Sequence, residues 1–289
     1  MRISCVSVIQ FVVWGYLLFS CQKIVIEDGL EDAGQACFKI TTPNATFFYQ
    51  KEAGGFSSIL DRDGNDWIGF KQDSLENYPS SAASSYRGLP NLVFRSEDGG
   101  AGHPGFRKCI SERISPNRIR STSKSGRWQW TWTFEPDLAT LTIDRVDSSH
   151  AYWFLYEGPV GGRFKPKEQY WGTDREGPLR SMPDHYAGST VYGYWRWFYA
   201  GDDNLNRILL IAHLDQDRLP DTFSYLGNTP DGIHAPDGMV VFGFGRIENA
   251  IPLMREQKQT FCIGFFEKKI QTAEDHLELE KKINKLMQP

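Results

Sequence analysis

Arg127-Trp128-Gln129-Trp130-Thr131-Trp132-Thr133-Phe134 sets three tryptophans and a phenylalanine alternately with polar side chains. Successive side chains of a strand point to opposite faces, so this spacing predicts a half-buried strand with Trp128, Trp130, Trp132 and Phe134 turned inward. The same reading extends outward along the chain. Phe38 to Gln50 and Gly55 to Leu60 precede it; Thr140 to Val146, Ala151 to Glu157, Val191 to Tyr199, Arg207 to Leu214, Gly238 to Phe244 and Thr260 to Phe266 follow it. Turn-forming stretches separate these runs. Asp61-Arg62-Asp63-Gly64-Asn65-Asp66 before Trp67-Ile68-Gly69-Phe70 is a hairpin signal, and it lacks the distant glutamate of a calcium loop. Only Ala273 to Met287 reads as a helix, opened by a capping-box spacing of Thr272 and Asp275, with Ala273, Leu277, Ile283 and Leu286 near one face. Residues 36–289 therefore read as one all-β domain closed by a C-terminal helix that packs on the sheet or covers an edge.

The first residues belong to a different regime. Arg2 precedes an almost wholly apolar run from Ile3 to Phe19, and Leu18-Phe19-Ser20-Cys21 resembles a bacterial lipobox, cut before a cysteine that is then acylated. Residues 1–20 are thus expected to be a lipoprotein signal peptide and Cys21 the lipidation site; the alternative is an ordinary cleaved signal with Cys21 incidental. Residues 21–35, acidic and turn-rich with Ile24-Val25-Ile26 as their one apolar cluster, read as a tether. The expected location is the cell envelope, facing periplasm or exterior, with a membrane partner met through the lipid.

Composition narrows the function classes. Removing residues 1–20 takes Arg2 with them and leaves a formal charge of about −5, with basic residues scattered, which gives no footprint for nucleic acid. An aromatic content of 14%, with 27 glycines and 15 prolines, suits sheets joined by tight turns. Cys37, Cys109 and Cys262 cannot all pair with one another, so one disulfide or three buried thiols remain open, and their spacing is unlike a zinc site. There is no phosphate loop, nucleophile elbow or His-Glu-x-x-His helix, so no cofactor and no metal are expected.

Tyr86-Arg87-Gly88-Leu89-Pro90-Asn91, followed by His103-Pro104-Gly105-Phe106-Arg107, carries a resemblance. The pair resembles the hexose-phosphate mutarotase branch of the galactose mutarotase superfamily, where an Arg-Gly-Gly-(apolar)-Pro stretch and a His-Gly-Phe-Ala-Arg stretch line a sugar site on a concave sheet. Gly54 to Asp61 is similar to that superfamily's opening hairpin. The resemblance implies a galactose-mutarotase-like β-supersandwich and makes Arg87 and His103 sugar-contacting candidates. It also implies a departure: the family's base is a glutamate on a late strand, and Gly238 to Arg246 contains no carboxylate, with Glu248 beyond it. Neither His150 nor His213 stands in a matching motif. Phe154 to Pro159 and Asp237 to Arg246 resemble phrases of exported bacterial proteins.

The remaining candidates come from residue chemistry. Glu157, at a strand end before Gly158-Pro159, is the preferred carboxylate, to be complemented by His103 as acid or base and Arg87 as oxyanion stabiliser. Tyr170-Trp171 and the aromatic run from Tyr192 to Tyr199 offer flat faces for sugar rings, so Trp171 is a binding candidate, and Arg175 or Arg196 a partner for a uronate carboxylate. His185, in the polar stretch Asp184-His185-Tyr186, joins them. So does His213, although its alternation with Leu209 and Ile211 equally describes a hydrogen-bonded core histidine. Together these predict an envelope-anchored carbohydrate-active protein that binds a saccharide, with whether it modifies that saccharide, and by lyase, hydrolase or epimerase chemistry, left open; the alternative is a non-catalytic glycan-binding or envelope-structural lipoprotein.

Overall fold

Eighteen strands and a closing helix account for the regular structure of residues 24–72, 86–215, 217–227 and 238–287, the residues that this computed structural model describes. The expected signal peptide and Cys21 lie outside the described residues. In chain order the elements are β1 (Val25–Asp32), β2 (Gln35–Thr41), β3 (Ala45–Gln50), β4 (Gly55–Asp61), β5 (Cys109–Ser115), β6 (Arg118–Ser123), β7 (Gln129–Phe134), β8 (Leu138–Arg145) and β9 (Phe154–Gly158). They continue with β10 (Gln169–Thr173), β11 (Val191–Gly193), β12 (Trp197–Asp202), β13 (Ile208–His213), β14 (Asp221–Leu226), β15 (Met239–Phe244), β16 (Arg246–Ile247), β17 (Ile251–Pro252), β18 (Thr260–Phe266) and α1 (Ala273–Leu286).

One layer is the antiparallel sheet β10-β12-β13-β18-β8-β7-β6-β5. It contains the tryptophan strand β7, on which Trp130, Trp132 and Phe134 are buried, as is Trp128 just before it. Two four-stranded sheets, β1-β2-β3-β4 and β11-β14-β15-β9, form the other layer. A strap joins them: Phe56 of β4 bridges Leu89, and Gly88 bridges Glu157 of β9. Gly88 has no room for a side chain, because a Cβ there would lie 2.4 Å from Pro104 Cδ. The Arg87–Asn91 motif is thus the seam of the composite layer.

Aromatic pairs lock the layers together. Phe56 meets Trp132 edge-on at 4.8 Å, Phe154 stacks on Phe261 at 4.5 Å, and Phe198 on Phe242 at 4.2 Å. Such pairs contribute about 0.5–1.5 kcal/mol each beyond simple burial. The outer face of the eight-stranded sheet carries Tyr170, Trp197, Tyr199, Ile208, Leu210 and Cys262, and Leu279 and Ile283 of α1 cover it. With both faces buried, β12 and β13 read as continuous apolar runs instead of alternating ones.

Several expectations are corrected by this arrangement. Residues 25–32 are no tether: Ala33 and Gly34, both at positive φ (46° and 76°), turn the chain so that Asp32 faces Gln35, and β1 pairs with β2. Ile26 is buried, while Glu27, Asp28 and Glu31 of this edge strand stay in solvent, and Glu27 pairs with Lys39 at 3.4 Å. An acidic edge resists strand-to-strand aggregation, and its composition resembles a linker for that reason. Phe38 to Gln50 is two strands, and Val191 to Tyr199 is divided between sheets, β11 in the smaller and β12 in the larger. In α1 the capping box forms, but the buried stripe is His276, Leu279 and Ile283; Leu277 and Leu286 are exposed. Cys37, Cys109 and Cys262 are three free, buried thiols. Burial pushes their pKa values up to about 11, 12 and 12 respectively.

Candidate functional site

Strand alternation builds the floor of the candidate site. Along β9, Phe154 and Tyr156 enter the core, so Leu155 and Glu157 point to the opposite face of the small sheet. Register places Val241 of β15 beside Glu157 and Ser224 of β14 beside Val241, with Gly243 and Thr222 forming the adjacent row next to Leu155. Glu157 therefore stands directly across from the late strand that lacks a carboxylate. A cavity of about 380 Å³ opens above this floor, walled by Phe94, Phe106, Trp153 and His103. That volume and apolar wall are typical of small-molecule sites.

The strap fixes Glu157. Asn91 Nδ2 donates to Glu157 Oε2 at 2.7 Å, and His103 Nε2 stands 3.5 Å from the same oxygen. Asn91 is itself held by its N–H donating to Gly102 O at 2.8 Å and by Trp153 Nε1 donating to its carbonyl at 2.5 Å. Among the described residues Oε1 of Glu157 carries no hydrogen bond. His103 is 1% exposed and is pinned at both nitrogens, Nδ1 donating to Pro104 O at 2.7 Å and Nε2 to Tyr86 O at 2.8 Å.

Arg87, expected to stabilise an oxyanion, does another job. It is buried beneath the strap, with Nη1 donating to Gly69 O at 3.1 Å and Nη2 to Gly238 O at 3.0 Å, and it does not line the cavity. Among the described residues the arginine that lines it is Arg246, just after β15. His185 is exposed at the rim; burial of its ring and then the neighbouring Arg246 charge lower its pKa. Trp171 is a core residue, stacked on Phe198 at 6.3 Å with its indole N–H given to Ser181 O, and offers no sugar platform. Arg175, Arg196 and His213 gather in a separate cavity of about 230 Å³ with Asp215 and Asp217. His213 there bonds Gln259 Oε1 at 2.6 Å and stacks on Phe261 at 4.6 Å, as a satisfied core histidine does.

The sequence reading carried over neither Asn91, Arg246 nor Asp221. Asn91 was visible within the Arg87 motif, but its role depends on β9 lying beside the strap. Asp221, 2% exposed, accepts from Trp195 N at 2.7 Å and Gly245 N at 3.0 Å, tying the β11–β12 crossing to the turn that delivers Arg246. Burial raises its pKa to about 8, against the lowering effect of those two N–H donors. Nothing local in the sequence announces a residue that acts by clamping two distant turns.

No family model matches the chain, and no curated protein does. Solved structures match it in fold. The candidate mutarotase YeaD of Salmonella typhimurium aligns with a TM-score of 0.51 at 12% identity, over 85% of this chain and 94% of that one. A galactose mutarotase-like protein of Lactobacillus casei aligns with a TM-score of 0.50 at 11% identity, over 80% of this chain and all of that one. Two sheets joined at the Arg87–Asn91 seam and packed on an eight-stranded partner, with these neighbours, make the fold of this protein a galactose-mutarotase-like β-supersandwich.

Proposed function

We propose that the protein binds a saccharide in the cavity over the small sheet and uses Glu157 as a general base. One observation carries the reading: Glu157 Oε2 is fixed by Asn91 beside His103, while Oε1 has no hydrogen-bond partner among the described residues, in a cavity walled by aromatic rings. A sugar lays its CH-rich face on such rings and a hydroxyl against the open oxygen, which takes the proton as the sugar reacts. His103 is a positioning residue in this scheme, its ring tied to two carbonyls and its Nε2 beside Glu157 Oε2. The mutarotase-like fold supports a carbohydrate ligand. The non-catalytic alternative, a glycan-binding protein, is favoured by that same tie, since neither nitrogen of His103 is free to donate to substrate.

A glycan panel followed by product analysis separates the two. Glu157→Gln is expected to keep saccharide affinity within a few-fold while turnover falls about a hundredfold or more. Equal turnover in both proteins removes Glu157 as base; absence of binding to any glycan removes the saccharide reading. The proposed location is the cell envelope, with export directed by Ile3–Phe19 and a lipid on Cys21, motivated by the sequence of that segment.

A further inference from the structure

A second cavity of about 450 Å³ adjoins the first, lined by Thr190, Tyr192, Thr222, Glu248 and Asn249. Arg246 borders both, together with His185 and Ala250. The two differ in chemistry: the first is walled by aromatic and aliphatic groups, the second mostly by hydroxyls, an amide and a carboxylate. Tyr192 is 42% exposed and presents a ring to the second.

Arg246 is built into the junction. Gly245, at φ 63°, donates its N–H to Asp221, and Arg246 N donates to Pro220 O at 3.0 Å, which fixes the backbone from which the side chain leaves. The stem crosses Gly243, where a Cβ would lie 3.2 Å from Arg246 Cδ, so glycine at that position lets the side chain lie on the sheet. Nη1 donates to Thr222 Oγ1 at 3.1 Å, and the guanidinium carbon stands 5.8 Å from the Trp153 ring. Nε is buried and, among the described residues, has no hydrogen-bond partner. Among the described residues no carboxylate oxygen lies within 4 Å of this arginine; burial lowers its pKa, and the charge of Glu157 across the cavity opposes that lowering. Glu157 in the first cavity is already engaged by Asn91 and His103, and Glu248 in the second is exposed.

We propose that the ligand is an acidic oligosaccharide that occupies both cavities, with a uronate carboxylate seated on Arg246 at their junction. This rests on the saccharide reading of the first cavity. A planar guanidinium matches a carboxylate, which takes two N–H groups at once. Two cavities on either side of one cation suit consecutive sugar units: one ring lies over Glu157 among the aromatics, and the next lies on the polar side against Tyr192.

Titration calorimetry with a uronate oligosaccharide series and its carboxyl-reduced neutral counterparts tests this on the unaltered protein. The acidic trisaccharide is expected to bind roughly tenfold or more tightly than its reduced form. Affinity should also rise from monosaccharide to trisaccharide and weaken with added salt. Arg246→Gln, checked for an unchanged melting curve, should abolish the acid preference, so that acidic and reduced forms bind within about two-fold of each other; the wild-type comparison stands if that variant does not fold. Equal affinity for acidic and reduced forms, or for one sugar unit and three, overturns the proposal and leaves the saccharide reading standing. No binding by any member of either series, nor by the wider glycan panel, overturns both.

Discussion

Arg87 and Asp221 show how single side chains hold this site without touching a ligand. Arg87 bridges Gly69 O and Gly238 O from below the strap, so Arg87→Ala leaves buried carbonyls without their charged donor. A loss of about 3 kcal/mol is expected, read as a lower urea midpoint at unchanged slope, and stability equal to wild type would refute the structural role. Asp221 gives a pH signature. Its folded pKa of about 8 lies above the ordinary 3.8, so between those values the folded protein keeps a proton that the unfolded chain has released. Its contribution is full below about pH 4 and is lost as pH rises through about 8, with a slope no steeper than about 1.4 kcal/mol per pH unit. The stability difference between wild type and Asp221→Asn, measured by urea denaturation from pH 5 to 9, should shrink as the pH rises; a constant difference would show that Asp221 does not titrate in this range. The sequence marked Glu157 and His103 through their local settings. Arg87 was marked too, but whether its guanidinium meets solvent or carbonyls depends on segments far away in the chain.

At the scale of elements, the sequence disclosed strands that turn apolar side chains to a core on one face or on both. The tryptophan strand alternates because one face meets the core and the other is polar. β5 and β6 were not legible, since Ile110 is exposed and polar residues occupy both faces of Cys109–Ser115. The split of Val191 to Tyr199 was hidden because Trp195 N and Arg196 N are held by Asp221 and Asp174, acids remote from that run. The helix was legible in its cap and not in its face. His276 is drawn to Trp197 and Tyr199, with Tyr199 Oη 3.2 Å from Nδ1, and this selects the stripe His276, Leu279 and Ile283. Leu279→Ala should therefore cost about 2–5 kcal/mol by thermal or urea unfolding. Saccharide affinity should be unchanged, because α1 covers the outer face of the large sheet and the cavity lies on the other layer; a matched loss of affinity would mean that the two faces are coupled.

For the whole molecule, the position of β1 changes what an anchor would do. If Cys21 carries lipid, four chain steps separate it from Val25, a reach of at most about 14 Å. The edge of the β1–β4 sheet then sits close against the bilayer. Cys21→Ser is expected to move the protein from the membrane to the soluble fraction and to remove acyl label, while unfolding stability stays the same; continued membrane association without label would refute a lipid anchor. The sequence by itself determined the β class, the capped helix and the motif pair that marks the supersandwich, because period, capping and turn chemistry are local and are written over a few residues. Only the tertiary structure decided that Glu157 stands across from the late strand, that Asn91 and His103 hold one of its oxygens, and that Arg246 joins two cavities. Those are matters of strand register and sheet pairing between segments far apart in the chain, and no local pattern encodes which strand lies beside which.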